Sequence, residues 1–391
     1  MKQGWTYKKL GEFCSFINDG DWIESKDQSE SGIRLIQTGN IGNGIYKDKE
    51  ERSKFISEDT FSSLGCTEIF EGDCLVSRLP EPIGRCCLLP KLENRCITAV
   101  DCSILRFTEK MLPKYFVYYS QSSPYAIDIT NKTTGTTRKR ISRKNLERIV
   151  IPLPPLPVQQ SIVAELDEIN HLLSLKRKEL ETYDKLAQSL FYEMFGDPVT
   201  NEKGWEVKKL GDICEIGTGS TPSRNNKDYY EGSIPWVKST EVCNCIIDST
   251  EEHISEIAIT ETNCTLYPKG SILMAMYGQG KTRGQIAILN IEATTNQAVA
   301  AILPSDKCNK LFMFQYLHLM YENIRSMARG GNQANLNLSL VKSILIPLPP
   351  LPLQQQFAQR IEAIEAQKAQ VKAAIEKLET LLAARMQYWF E

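Results

Sequence analysis

Ten residues, Ile151 to Gln160 (IPLPPLPVQQ), return 195 positions later as Ile346 to Gln355 (IPLPPLPLQQ), identical at nine of ten positions. A second pair, Trp5 to Cys14 (WTYKKLGEFC) and Trp205 to Cys214 (WEVKKLGDIC), agrees at six of ten positions with an offset of 200. Both markers keep the same order in each half. The repeating unit is therefore a whole domain with an appendage, far longer than the roughly 20 to 50 residues of a solenoid repeat. Whatever 391 residues fold into here must be built twice, and the chain is long enough for two cores.

Residues 5 to 155 and 205 to 350 read as mixed α/β domains. Short β-branched and aromatic runs, such as Cys102 to Phe107 and Ser271 to Tyr277, alternate with turn signals such as Glu71-Gly72-Asp73 and Pro268-Lys269-Gly270. One helical stretch is expected near the end of each domain, around Pro113 to Ile127 and Lys310 to Ala328. After the proline segments the pattern changes, because no proline occurs between Pro157 and Pro198 or after Pro352. Apolar residues there recur every seven positions. Ile162, Ile169, Tyr183 and Leu190 form one series, broken by Lys176, and Leu166, Leu173, Leu180 and Ala187 form the other. Phe357, Ile364, Val371 and Leu378 repeat the first, while Ile361, Ile375 and Leu382 repeat the second with Lys368 interrupting. These are heptads of coiled-coil helices.

A lysine in such a seam can set register at a cost in stability, or its stem can carry the charge to solvent; the second is the favoured reading. Since proline excludes helix, each tract is expected to start only after the last proline, the first running from Val158 to Phe191. Its 34 residues span roughly 50 Å at about 1.5 Å per residue. Two such one-sided helices hide their stripes most simply against each other. The expected division is residues 1–155 for the first domain, 156–200 for the first helix and joint, 201–350 for the second domain and 351–391 for the second helix.

No signal peptide and no run of about 18 apolar residues appears, so a cytoplasmic protein without a membrane partner is expected. The twelve cysteines are scattered, with Cys86 and Cys87 adjacent and Cys243 and Cys245 one apart, and none has CxxC spacing. With three histidines away from them, reduced thiols are expected and no metal site. A formal net charge of -2 excludes a uniformly basic coat, though not a local basic face.

With two unlike domains alternating with two coiled-coil tracts, each tract entered through IPLPPLPxQQ, the chain resembles the specificity subunit of type I restriction-modification systems over essentially its whole length. Supporting pieces are Leu210-Gly211-Asp212, Tyr277 to Gly284 (YGQGKTRG), Thr294 to Ala298 (TTNQA) and Asn335 to Ser339 (NLNLS). The resemblance implies an α+β protein: two α/β target recognition domains separated by two long antiparallel coiled-coil helices, in a pseudo-two-fold repeat. It implies that each domain reads one half of a split target in double-stranded DNA. The helices, with Ile162, Leu166, Ile169, Leu173, Leu180, Phe357, Ile361, Ile364, Val371, Ile375 and Leu378 in their seams, would dock two adenine-N6 methyltransferase subunits, joined by restriction/translocase subunits. S-adenosylmethionine, Mg2+ and ATP would belong to those partners, with no cofactor on this chain. The first half departs from the pattern. In place of YGQGKTRG it reads Leu79 to Arg85 (LPEPIGR), with Arg85 level with Arg283 at an offset of 198, and in place of NLNLS it carries a basic stretch. Unlike readers on a repeated frame imply an asymmetric target.

GQGKT suggests a phosphate-binding loop, but that consensus needs glycine where Ala275 stands and a helix after the threonine, whereas Gln285 to Leu289 reads as strand. The glycines would let Gln279, Lys281 and Arg283 approach DNA phosphates, or they simply close a hairpin. From Arg138 to Arg148 (RKRISRKNLER), Arg138, Lys139, Arg140, Arg143, Lys144 and Arg148 face the single acid Glu147. Such density suits phosphate neutralisation or guanine edges, against the plainer reading of a solvated face. The corresponding Gly330 to Asn335 offers Asn332, Gln333 and Asn335, whose amides suit adenine edges or, equally, a turn. Thr38 and Asn40, and Lys238 in the second domain, occupy equivalent loops after strands and complete the candidates. No methyltransferase, helicase or nuclease motif is present, and His253 beside Glu251 and Glu252 suggests acid-base chemistry but reads better as a surface turn, so the chain is expected to catalyse nothing. A coiled-coil scaffold without DNA specificity is the alternative.

Overall fold

In a computed structural model, which describes residues 4–136, 138–278, 280–328 and 335–391, the two markers of each half meet in space. Strand Thr6–Lys9 of the tryptophan-led marker runs antiparallel to strand Val150–Leu153 of the first proline segment, with Tyr7 opposite Pro152. Strand Val207–Lys209 pairs with Leu345–Pro347 in the same way. Proline is tolerated because these are two-stranded ladders in which one missing N–H leaves little unpaired. The N–H groups of Leu10 and Leu210 then donate to the carbonyls of Ile149 and Ile344, each at 2.8 Å.

The paired glutamines that end the proline segments divide their labour. Gln160 and Gln355 are exposed, whereas Gln159 and Gln354 are at most 1% exposed. The Gln159 amide accepts from the Leu112 N–H at 2.9 Å and donates to the carbonyls of Lys110 and Pro154 at 2.9 Å each. Gln354 accepts from the Asn309 N–H at 2.8 Å and donates to the Pro349 carbonyl at 2.7 Å. Each buried amide ties the proline joint to the start of the domain's own helix pair.

The long helices begin earlier than the prolines suggest. They span Leu156–Phe195 and Leu351–Phe390, 40 residues each, so Pro157 and Pro352 lie inside their first turns. A first-turn proline forfeits only an N–H that has no intrahelical partner, and the helix starts from the carbonyls of Pro155 and Pro350. At about 1.5 Å per residue each helix is roughly 60 Å long rather than 50. The first ends at Gly196, whose φ of 81° closes a left-handed cap, and Lys203 donates to the terminal carbonyls of Glu193 and Met194. The single helical stretch expected late in each domain is in fact two helices, Pro113–Tyr119 with Ser123–Lys132 and Lys310–Leu319 with Tyr321–Ser326. In the first case Pro124 forces the restart, since it fits only a first turn.

Contacts divide the chain into one unit of residues 1–177 and 374–391 and another of residues 178–373. In the first unit, an antiparallel sheet orders strands Cys14–Asp19, Cys102–Phe107, Cys74–Ser77 and Cys86–Leu88. A second sheet orders Lys54–Ile56, Ile33–Ile36, Cys96–Thr98 and Glu68–Ile69, with a parallel pair at its centre. In the second unit the first sheet recurs as Ile216–Thr218, Val299–Ile302, Ile272–Ala275 and Ile286–Leu289, extended by the parallel strand Cys245–Ile247. The smaller sheet recurs as Glu252–Ile254, Ile234–Val237 and Thr294–Thr295. The repeat is thus carried by both sheets, with one strand more in the larger and one fewer in the smaller of the second unit.

Ile162, Leu166, Ile169 and Leu173 are buried in the first unit, as are Phe357, Ile361, Ile364 and Val371 in the second, while Leu180, Ile375 and Leu378 are half-buried. Phe390 packs on Tyr115 and Tyr119, and Phe195 on Phe312 and Phe357, so each helix terminates in an aromatic cluster. The pairing is antiparallel in each unit: Glu165 meets Arg385 and Arg177 meets Glu379, and Asp184 meets Lys368 where Phe191 meets Phe357. Lys368 does not trail into solvent as favoured from sequence. Its side chain is 16% exposed and its ammonium pairs with Glu365 at 2.7 Å and Asp184 at 2.9 Å. Burial alone would lower its pKa, but the two carboxylates reverse this and raise it.

Replacing Gln159 with Leu strands a buried N–H and two carbonyls, so a loss of about 3 kcal/mol is expected by calorimetry, against less than about 0.5 for Gln160→Leu at the exposed neighbour. Glu165 gives a pH-dependent counterpart. Its carboxylate accepts from Arg385 and, at 2.9 Å, from Trp389 Nε1, and these bonds hold its pKa below the ordinary 4.5. A lowered folded pKa stabilises above the unfolded value and is lost on acidification. The stability deficit of Glu165→Gln in denaturant titrations should therefore be full at neutrality and close as the pH falls through the depressed pKa.

Candidate nucleic-acid interface

One segment in each domain rests on the end of a central strand through the same backbone bond. Ile141 N–H donates to the Arg78 carbonyl at 3.3 Å, and Leu336 N–H to the Met276 carbonyl at 3.0 Å. Ile141 and Leu336 are buried, and each is followed by a capped short helix. Ser142 Oγ accepts from the Asn145 N–H ahead of Arg143–Glu147, and Asn337 Oδ1 from the Leu340 N–H ahead of Leu338–Lys342. The frame is common, and what precedes it differs.

In the first domain the segment is a tight hairpin. Thr134 and Arg140 exchange both backbone hydrogen bonds at 2.9 Å, and Gly135 turns the chain with φ 104°, where a Cβ would sit 2.7 Å from the Arg138 carbonyl. Arg138, Lys139 and Arg140 are exposed at or beside its tip. Of these, Arg138 has only a loose approach of 3.8 Å to Asp101. Lys144 is exposed on the helix behind them, while Arg143 is drawn inward, donating to Asn18 Oδ1 at 2.6 Å. Beneath the hairpin Arg78 is 3% exposed and lies 3.3 Å from Asp19. Burial depresses its pKa, Asp19 offsets part of this, and Arg140 pushes it down again. In the second domain Asn335 is half-buried; Asn332 and Gln333, with Gly330, Gly331 and Ala334, lie outside the described residues.

The neighbouring loop corrects the alignment of the two halves. Gly84 N–H donates to Ser77 and Gly284 N–H to Ala275, both at 2.8 Å, and the carbonyls of Arg85 and Gln285 then accept from Ser77 and Ala275. Both glycines have nearly the same positive φ, 84° and 85°. Arg85 is therefore the counterpart of Gln285, not of Arg283, because the second loop is two residues longer. Arg85 does not point outward. Its guanidinium donates to four carbonyls, those of Ile41, Pro80, Pro82 and Thr38, at 2.7 to 2.9 Å. It locks the LPEP loop, whose Leu79-Pro80 and Glu81-Pro82 bonds are cis, to the turn Thr38–Asn40.

In the second domain that clamp comes from Arg325, which the sequence did not single out. It donates to the carbonyls of Arg283 and Gly280 at 2.8 Å, and Tyr321 Oη donates to that of Lys281 at 2.6 Å. Lys281 is left exposed and Arg283 half-buried, while Gln279 lies outside the described residues. Strand Ile286–Leu289 rather than a helix follows Thr282, so the loop lacks the element that a phosphate-binding consensus requires.

Two further candidates also turn inward. Asn40 is 8% exposed, its Oδ1 accepting from the Gln37 N–H and its amide donating to the Lys47 carbonyl, each at 3.0 Å. Lys238 is tied to Glu251 at 2.8 Å and Glu252 at 3.1 Å. Glu252 is further held by Arg224, which lowers its pKa, so the acids beside His253 are ion-pair partners, and His253 lies in a strand rather than a surface turn. Thr38, by contrast, borders a pocket of about 230 Å³ with Arg34, Lys49 and Arg52. Lys49 and Arg52 are exposed cations hidden in the sequence by the adjoining Asp48, Glu50 and Glu51. Among the described residues no group of three or more His, Cys, Asp or Glu could hold a metal ion, and no helix is long and apolar enough to cross a membrane.

The profile of the type I restriction modification DNA specificity domain matches residues 2–182 and again 202–380. The chain belongs to that family. Among its curated relatives, the type I restriction enzyme MjaIX specificity subunit of Methanocaldococcus jannaschii is 26% identical over 268 residues, covering 64% of this chain and 61% of the relative. The EcoR124I/EcoR124II specificity subunit of Escherichia coli is also 26% identical over 268 residues, covering 66% and 64%. The chain thus spans somewhat less than two thirds of these two relatives. A solved S subunit of a type I restriction-modification system from M. genitalium superposes with TM-score 0.60 at 15% identity, covering 100% of this chain and 98% of the other. A chain from a structural study of assembly and conformational transition of the type I R-M system gives 0.62 at 19%, with the same coverage.

Arginines spent on carbonyls should behave differently from those at the hairpin. Arg85→Leu leaves four carbonyls without their donor and should cost about 2 to 3 kcal/mol of stability in thermal unfolding, whereas Lys139→Ala should leave the transition within about 0.5 kcal/mol.

Proposed function

We propose that the chain is the sequence-reading subunit of a type I restriction-modification complex and performs no chemistry itself. Each domain reads one half of a split, asymmetric target in double-stranded DNA. The observation that carries this reading is the contrast on a common frame: a cationic hairpin of Arg138, Lys139 and Arg140 in the first domain, and a glycine- and amide-rich sequence leading into the same frame in the second. The first chemistry suits phosphates and guanine edges, the second adenine edges. Lys281 and the Lys49–Arg52 pocket add cations for the DNA backbone. The long helices dock two adenine-N6 methyltransferase subunits, and restriction/translocase subunits complete the assembly. S-adenosylmethionine, Mg2+ and ATP serve those partners.

Retention on duplex DNA should weaken steeply with salt. The combined Arg138→Ala, Lys139→Ala and Arg140→Ala variant should flatten that dependence by about 0.9 in log-log slope for each phosphate it no longer neutralises. In cells supplying the methyltransferase partner, mapped DNA modification should show a split motif. Exchange of the first domain at Ile151 should change one half of it. Salt-independent elution would favour a scaffold, and methyl incorporation by the purified chain alone would overturn the non-catalytic assignment.

A further inference from the structure

Of the twelve cysteines, nine are buried, Cys14 and Cys245 are half-buried, and Cys243 is exposed. Cys243 and Cys245 are also neighbours in space, with Sγ atoms 3.6 Å apart, and the Cys245 thiol lies 3.5 Å from the Glu241 carbonyl. The residue between them is held from the other side. Asn244 adopts φ 54°, its N–H donates to the Ile286 carbonyl at 2.7 Å and its Oδ1 accepts from the Ile286 N–H at 3.3 Å. With the intervening residue so anchored, the flanking thiols stay together while the backbone beneath them is fixed. A disulfide needs sulfurs at about 2.05 Å, so roughly 1.5 Å of closure is required, within reach of a side-chain rotation at exposed Cys243.

We infer that Cys243 and Cys245 form a dithiol modification site that reacts with low-molecular-weight disulfides and closes to an intramolecular disulfide. The exposed Cys243 thiolate attacks one sulfur of the reagent RSSR, forming a mixed disulfide and releasing RS⁻. The Cys245 thiolate then attacks the Cys243 sulfur, forming the protein S–S bond, breaking the mixed disulfide and releasing the second RS⁻. The two thiol protons end on the two leaving groups, so the protein loses two electrons and the reagent is reduced to two RSH. Burial raises the pKa of Cys245, which leaves exposed Cys243 as the point of entry, and the 3.6 Å separation makes Cys245 the resolving thiol. The adjacent Cys86 and Cys87 are both buried and closed to the reagent.

The test exposes the full native chain to oxidised glutathione, traps remaining thiols by alkylation and analyses the digest by mass spectrometry. In the wild type, the peptide carrying both residues should lose two hydrogens before any buried cysteine reacts. Cys245→Ser should stall with one glutathione on Cys243, and Cys243→Ser should leave Cys245 as a free thiol. A wild-type peptide that stays reduced, keeps its glutathione or pairs with a different cysteine would overturn the assignment. None of these readouts depends on DNA binding, so failure here and failure of the DNA-reading assignment are separable.

Discussion

Two buried amides hold the architecture together. Gln159 and Gln354 are the residues through which a proline-rich strand, which cannot satisfy its own backbone, is tied to the helix pair of its domain. Because a buried carbonyl or N–H without a partner costs more than a hydrogen bond contributes, the amide, the strand and the helix start form one cooperative joint. The long helix leaves that joint in a direction set within its first turn. Within the repeated decapeptide the leading isoleucine enters the core, the prolines set the helix entry and one glutamine of the pair binds backbone, while Leu156, Leu351 and the second glutamine stay exposed.

On that joint the two domains carry a constant frame and unlike rims. The bonds from Ile141 to Arg78 and from Leu336 to Met276, and the turns at Gly84 and Gly284, are the same in both. The clamps are not. Arg85 gathers the carbonyls of its own loop, whereas Arg325 reaches the corresponding loop from a helix. One task, holding an irregular loop by feeding its carbonyls to a guanidinium, is met from two sequence positions. That freedom is what a protein needs if its rims are to diverge while its frame does not.

Much of this is legible in the sequence. The repeat, the heptad seams from Ile162 to Leu173 and from Phe357 to Val371, and the basic stretch from Arg138 follow from patterns along the chain, and the α+β class from the family resemblance those patterns carry. The misplaced residues share a cause as well. Arg85, Asn40 and Lys238 carry the right chemistry for DNA, yet each is spent on groups that the fold brings to it: carbonyls at Ile41 and Thr38, a carbonyl at Lys47, carboxylates at Glu251 and Glu252. Lys49 and Arg52 escape notice for the opposite reason, their charge being cancelled along the chain but not in space.

That a unit is built twice, and which heptad residues turn inward near the start of each long helix, could be read in advance, because periodicity and duplication are properties of order along the chain. Which cations remain available, which residue of one loop answers which of the other, and that the glutamine behind each proline run is a buried clamp emerge first in the folded chain. Those depend on which polar groups satisfy one another across separations that often exceed forty residues, and no local pattern records that.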